Sequence, residues 1–142
     1  MPNESWAWLI EKVIPSQRGA GRQIIDEVLA RLQHHQWGSH DVFSVQLALE
    51  EAIVNAIRHG NRMDASKQVH VVCKMSPQRI FIEITDEGPG FDPEQVPDPT
   101  DDEHLECPGG RGIMLMRSYM SRVEYNETGN TVVMEKERTD LA

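Results

Sequence analysis

Between Val69 and Thr85 the chain alternates apolar and polar side chains with period two, interrupted only at Ser76, Pro77 and Gln78. Successive residues of a strand point to opposite faces, so the pattern predicts two β-strands, 69–75 and 79–85. Val69, Val71, Cys73 and Met75 make one apolar face. Ile80, Ile82 and Ile84 make the other, with Phe81, Glu83 and Thr85 turned away. A turn this short joins the strands as an antiparallel hairpin. Counting on past Ile84 places Asp86 on the isoleucine face, and a carboxylate at the end of an apolar face calls for a reason.

The rest of the chain supplies helices and further strands. Trp6 to Ile14 reads as a strand ended by Pro15, and Ser16 as the N-cap of a helix to about His35. Ile24, Ile25, Val28, Leu29 and Leu32 recur there at helical spacing. A second helix is expected from about Asp41 to His59, with Val42, Val45, Leu49, Ala52, Ile53, Ala56 and Ile57 as its stripe and Gly60 as its stop. From Asp92 to Pro108 periodicity vanishes, and that stretch holds four Pro and seven Asp or Glu. A loop of this length inside a small domain is often a functional lid. Gly109, Gly110, Arg111 and Gly112 then open a third helix, on which Met114, Met116 and Met120 are expected in the core. A second hairpin closes the pattern, 122–126 and 131–137, turning through Thr128, Gly129 and Asn130.

A chain of 142 residues suits a single domain. Hydrophobic residues at 39% suffice for a core. Fourteen Lys and Arg against 23 Asp and Glu give a formal charge of −9. Such an acidic surface argues against general nucleic-acid or membrane binding, while leaving room for a local nucleotide site. No apolar run reaches the roughly 18–20 residues that span a bilayer. The opening residues lack the basic stretch and cleavage site of a secretion signal. Cys73 and Cys107 lack metal-ligand spacing, so reduced thiols and a cytoplasmic location are expected.

Three clusters have chemical potential. Glu50, Glu51, Asn55, Arg58 and His59 lie on the second helix, where residues four apart are separated by about 40°. Glu51 and Asn55 therefore share a face, either as a solvated charged edge or as a pair holding hydrated magnesium and orienting a hydroxyl. Asp86-Glu87-Gly88-Pro89-Gly90-Phe91 follows a strand. It reads either as a Gly-Pro turn or as a close backbone approach to a ligand, with Asp86 accepting from an exocyclic amine. Gly109 to Gly112 at a helix start would offer free N–H groups and the helix dipole to phosphates, with Arg111 adding charge. Neither a Walker A loop nor a GxGxxG fingerprint occurs.

Taken in order, LALEEAIVNAIRHGN, ITDEGPGF and GGRGIMLMRSYMSRVEY resemble the motifs of the GHKL ATPases, and GNTVVMEK their last strand. The likeness is to the single-domain anti-sigma-factor serine/threonine kinases of bacterial partner-switching systems, over about residues 10–137. It implies the Bergerat fold: an α/β two-layer sandwich with a mostly antiparallel mixed sheet and helices on one face. ATP would lie between the layers under the 92–108 lid. The resemblance assigns Glu51 as the base for a substrate hydroxyl and Asn55 to Mg2+. It assigns Asp86 to the adenine amine, Gly88 and Gly90 to ring clearance, and Thr131 to supporting Asp86 through water. Gly110, Gly112 and Arg111 would meet the phosphates.

Some relatives carry a basic residue where Cys107 and Pro108 stand, and Arg111 is the cation left to replace it. The partners implied are a STAS-domain anti-anti-sigma protein and a sigma factor or other regulator, with homodimerisation possible. The competing reading is a nucleotide-gated or nucleotide-free binding module without kinase activity.

Overall fold

The two alternating runs pair as their pattern demands. The computed structural model describes residues 6–17, 19–62, 64, 66–88, 110–126 and 130–139. Strand β2 (Gln68–Met75) and strand β3 (Arg79–Thr85) run antiparallel, with Cys73 opposite Ile82 and Val71 opposite Ile84. Both apolar faces therefore lie on one side of the sheet, and Val69, Cys73, Ile80 and Ile82 are completely excluded from solvent. Fully burying a side chain of this size contributes about 1.5–3 kcal/mol.

Three more strands complete the sheet: β1 (Trp8–Pro15), β4 (Arg122–Tyr125) and β5 (Thr131–Glu137). The order is β1-β2-β3-β5-β4, and every neighbouring pair is antiparallel. The expected mixed sheet is thus purely antiparallel among the described residues. Helices α1 (Arg22–His34), α2 (Ser39–Val54) and α3 (Gly110–Tyr119) bury Val28, Leu32, Val45, Leu49 and Met116 in the same core. The opposite sheet face carries ion pairs such as Arg79–Glu135 at 3.1 Å and Arg122–Glu135 at 3.0 Å.

Several local expectations are corrected by distant contacts. Ser16 does not cap α1, which begins six residues later at Arg22 after Gly21. Its hydroxyl is instead buried, donating to the Lys67 carbonyl at 2.9 Å. Helix α2 begins at Ser39 rather than Asp41. Asp41, in its first turn, is buried and accepts from the Thr139 N–H at 2.8 Å and hydroxyl at 2.7 Å. A carboxylate suits a helix N-terminus, and this one ties down the chain beyond β5. Met116 and Met120 enter the core as expected, but Met114 is half exposed. The 92–108 segment lies outside the described residues.

The most consequential departure concerns the end of the second helix. Regular α-helix stops at Val54, and Asn55–Gly60 forms a π-helical turn. The Asn61 N–H closes it on the Ala56 carbonyl five residues back, at 2.9 Å. Such turns are rare, occur mostly inside α-helices and often at functional sites.

Candidate functional site

Asn55 is the first residue of the π turn and Glu51 stands one turn before it on α2. Asn55 Nδ2 is buried and closes no hydrogen bond with any described residue. A buried amide left unpaired costs about 1–3 kcal/mol, so it marks a place where a ligand group has a part to play. Glu51 is half buried, and burial raises its pKa above the ordinary carboxylate value. Glu50 and Arg58 do not join this pair. They line a separate cleft with Gly21, Arg22, Ile53 and Ile57, because Glu50 leaves the helix about 100° around from its neighbour Glu51 and Arg58 lies within the π turn, where regular helical spacing no longer holds.

Across from the π turn, Asp86 leaves the end of β3 and is buried, as the parity count required. Its Oδ1 accepts from the Gly88 N–H at 2.8 Å. Burial raises its pKa, while that N–H and the charge of Lys67 oppose the rise. Gly60 makes this packing possible: a Cβ there would fall 2.3 Å from Asp86 Cγ. A Cβ on Gly88 would fall 1.8 Å from the Gly60 carbonyl oxygen. The end of the π turn and the loop after β3 therefore approach backbone to backbone at Gly60 and Gly88. Gly60, read from the sequence as a helix stop, is there because a carboxylate occupies the space of its missing side chain.

Asn61 fixes this approach. Its Nδ2 donates to Ser16 Oγ at 2.6 Å and to the Gln68 carbonyl at 2.9 Å, and its Oδ1 accepts from the Glu87 N–H at 2.7 Å. One buried carboxamide thus joins the end of β1, the start of β2 and the loop carrying Asp86. The Gln68 N–H also donates to the Glu87 carboxylate. No local pattern marks Asn61, since each partner is brought to it by the fold.

Thr131 is placed elsewhere. It lies opposite Thr85 in the register, with the two hydroxyls 3.0 Å apart. Val132 and Met134 are the core-facing residues of β5, so Thr131 points to the opposite sheet face from Asp86. The residue that reaches Asp86 is Asn130, whose carbonyl accepts the Asp86 N–H at 2.9 Å and whose Nδ2 reaches the Asp86 carbonyl at 3.4 Å.

Tyr125, at the end of β4, is a member of the site that no cluster in the sequence contained. Its phenol is pushed well above its ordinary pKa by burial, against the charge of Arg117, and the charges of Asp86 and Glu51 push it further. A polar tip ending an apolar strand face is the same signal that singled out Asp86, and it could have found Tyr125. Gly110, Arg111 and Gly112 form the first turn of α3, as expected, and α3 packs on α2. Gly90 and Gly109 lie outside the described residues.

Asp86 gives a direct test of this electrostatics. Because its folded pKa is raised, the folded state binds its proton more readily than the unfolded chain. The resulting destabilisation is absent below the unfolded pKa and complete above the folded one. Asp86→Asn should therefore raise Tm at neutral pH, with the gain shrinking as pH falls through the raised pKa, while nucleotide affinity is lost. Thermal melts across pH check the first part and calorimetry the second.

The donor set suits a nucleotide with hydrated magnesium better than a metal held by protein alone. Among the described residues no three His, Cys, Asp or Glu cluster to hold an ion. Magnesium characteristically keeps waters and phosphate oxygens and takes few protein ligands. The unpaired Asn55 carboxamide is the right kind of single ligand, because turning it about its last bond presents Oδ1 in place of Nδ2. No helix among the described residues is long and apolar enough to cross a membrane.

Comparison with known proteins agrees with this geometry. The histidine kinase-like ATPase domain family matches residues 14–136. The serine-protein kinase RsbW of Bacillus subtilis is 29% identical over 139 residues, covering 89% of this chain and 84% of its own length. An anti-sigma F factor of Clostridium perfringens is 31% identical, over 68% of this chain and 72% of its own. The serine/threonine-protein kinase BtrW of Bordetella bronchiseptica is 27% identical over 63% of this chain, which spans only 65% of that relative. The crystal structure of the RsbU and RsbW domains of Rv1364c from Mycobacterium tuberculosis superposes on 93% of this chain with a TM-score of 0.63 at 12% identity. That likeness, which takes in 32% of the larger chain, shows a shared fold. By fold, by ordered motifs and by these matches, the chain belongs to the histidine kinase-like ATPase domain family, on the branch of anti-sigma factors and serine-protein kinases.

Proposed function

We propose that this protein is a magnesium- and ATP-dependent serine/threonine protein kinase of the anti-sigma type, acting in the cytoplasm. Its substrate is a STAS-domain antagonist, and its second partner is a sigma factor or another regulator. The observation that carries the reading is the buried, unpaired Asn55 amide one turn from Glu51, a carboxylate whose pKa is raised by burial. A base tuned upward from the ordinary carboxylate range accepts a hydroxyl proton more readily, and half-burial provides that tuning.

In this reading Glu51 orients and deprotonates the serine or threonine hydroxyl. Asp86 accepts from the adenine amino group, with Gly88 and Gly90 leaving room for the ring. The first turn of α3, at Gly110, Arg111 and Gly112, presents N–H groups and charge to the phosphates. Asn55 holds the magnesium that accompanies ATP, which when bound neutralises charge on the phosphates. The protein's own contribution is positioning and electrostatics, the two effects phosphoryl transfer mainly requires. Asn130 supports the Asp86 backbone.

Calorimetric titration of ATP with and without magnesium is the deciding experiment. Micromolar or tighter binding that depends on magnesium is expected, followed by transfer of the γ-phosphate to a STAS-domain protein encoded in the same genome. Absence of binding in both conditions overturns the nucleotide reading. Tight binding without transfer to any STAS-domain protein of that genome leaves a nucleotide-gated binding module.

A further inference from the structure

The Asp86 carboxylate can discriminate between bases only if the backbone that carries it is held still. A peptide unit in a loop is fixed when both its carbonyl and its N–H are engaged. Both are engaged here. The Asp86 N–H donates to the Asn130 carbonyl at 2.9 Å, and Asn130 Nδ2 reaches the Asp86 carbonyl at 3.4 Å. At the other end of the same peptide unit, the Glu87 N–H donates to Asn61 Oδ1 at 2.7 Å. The next N–H, that of Gly88, turns back onto Asp86 Oδ1.

Asn61 is the firmer of the two holds, because it is buried and Asn130 stands partly exposed after the β4–β5 turn. Its amide cannot turn round. Ser16 Oγ gives its proton to the Lys67 carbonyl and so accepts from Nδ2. The Gln68 carbonyl can only accept and the Glu87 N–H can only donate. All three partners demand one orientation, with Oδ1 toward the loop. The backbone N–H of the same residue closes the π turn on the Ala56 carbonyl. Asn61 therefore ties the turn that begins at Asn55 to the loop that presents Asp86, and anchors both to the sheet through Ser16 and Gln68.

We propose that Asn61 is a positioning residue for base recognition: without touching the nucleotide, its Oδ1 holds the 86–87 peptide so that the Asp86 carboxylate faces an exocyclic amine. This rests on the assignment of Asp86 to the adenine amino group made above. The physical logic is directional. A hydrogen bond weakens steeply as its angle departs from linear, so a small rotation of the carrier peptide removes the preference for the amine. The phosphates and the metal, common to all purine triphosphates, are assigned to other elements and do not depend on that rotation. A site keeps its geometry when the residues behind it are themselves locked, and Asn61 is locked at both ends of its amide.

The test compares ATP with inosine triphosphate, in which a carbonyl oxygen replaces the exocyclic amine. Each is titrated calorimetrically, with saturating magnesium, into the parent, Asn61→Ala, Asn61→Ser and Ser16→Ala. A thermal melt of each variant establishes that it is folded at the temperature of titration. The serine variant answers the case in which alanine does not fold: its hydroxyl can still serve the Gln68 carbonyl but is one bond too short to hold the Glu87 N–H. The parent is expected to prefer ATP about tenfold or more, as befits a hydrogen bond to a charged group. Both Asn61 variants should lose most of that preference, binding ATP about tenfold more weakly and inosine triphosphate within about twofold of the parent. Ser16→Ala should lower Tm, by leaving Nδ2 one partner short, yet keep the preference because the bond from Oδ1 to Glu87 is intact. A preference retained in a folded Asn61 variant, or an equal weakening of both nucleotides, overturns the positioning role while leaving Asp86 in place. A loss in Ser16→Ala as large as in Asn61→Ala also overturns it, since the effect then follows packing. A parent that binds both nucleotides equally removes Asp86 from the adenine role, and this proposal falls with it.

Discussion

Glu51→Ala is expected to bind ATP as tightly as the parent and to transfer phosphate about 10²–10⁴-fold more slowly, the range associated with loss of a general base. The separation of the two effects follows from position. Glu51 is one helical turn from Asn55 and half buried, whereas Asp86, to which the adenine contact is proposed, lies on another element. The same placement sets the pH profile. Burial raises the Glu51 pKa, so the fraction of ionised base, and with it the transfer rate, should climb as pH rises through that raised value and then level off. Glu51→Ala should lose this rising limb. Initial rates of labelled phosphate transfer to a STAS-domain substrate, measured beside calorimetric ATP affinity, check both statements. Equal loss of binding and transfer would remove Glu51 from the role of base.

The largest structural effect is expected at Gly88. An added Cβ would lie 1.8 Å from the Gly60 carbonyl oxygen and 2.5 Å from its carbon, and backbone has no rotamer by which to retreat. Gly88→Ala must therefore push the loop after β3 away from the π turn. Overpacking of this kind costs about 3 kcal/mol, which for a domain of this size corresponds to a Tm lowered by ~10 °C. Because Asp86 depends on the Gly88 N–H and sits against Gly60, ATP binding should be lost even below the lowered Tm. Gly60→Ala offers the instructive contrast. Its Cβ meets the Asp86 carboxylate, 2.3 Å from Cγ, which can swing aside. Nucleotide binding should then fail with a smaller loss of stability. Melting curves and ATP titrations on both variants check the order, and a Gly88→Ala protein with parental Tm would refute the backbone contact.

Much of the fold was legible because its information is local and periodic. The hairpin of β2 and β3 follows from alternation alone, and the burial of Asp86 follows from the same count extended by one step. The α-helical spacing of Glu51 and Asn55 put both on one face before any tertiary contact was known. Ser16 shows where this reasoning fails. Its sequence neighbourhood favours a cap, but Lys67 and Asn61 compete for the hydroxyl and win, since burial makes a satisfied hydrogen bond more valuable than an optional cap. Thr131 and Asn130 show a subtler failure. A one-residue difference in register exchanges the two faces of a strand, so neighbours in sequence end on opposite sides of the sheet.

By itself, then, the amino-acid sequence determined the strands, the helices, their apolar faces and the order of the three motifs. Hydrophobic periodicity is a property of a dozen consecutive residues and needs nothing distant to be read. Only the tertiary structure decided how those motifs become a site. The backbone contact of Gly60 with Gly88, the Asn61 tie to Ser16 and Glu87, and the hydrogen bond of Asp86 to Asn130 all join segments tens of residues apart. Such contacts depend on how layers pack against one another, and packing is set by the shapes of many side chains at once rather than by any local pattern.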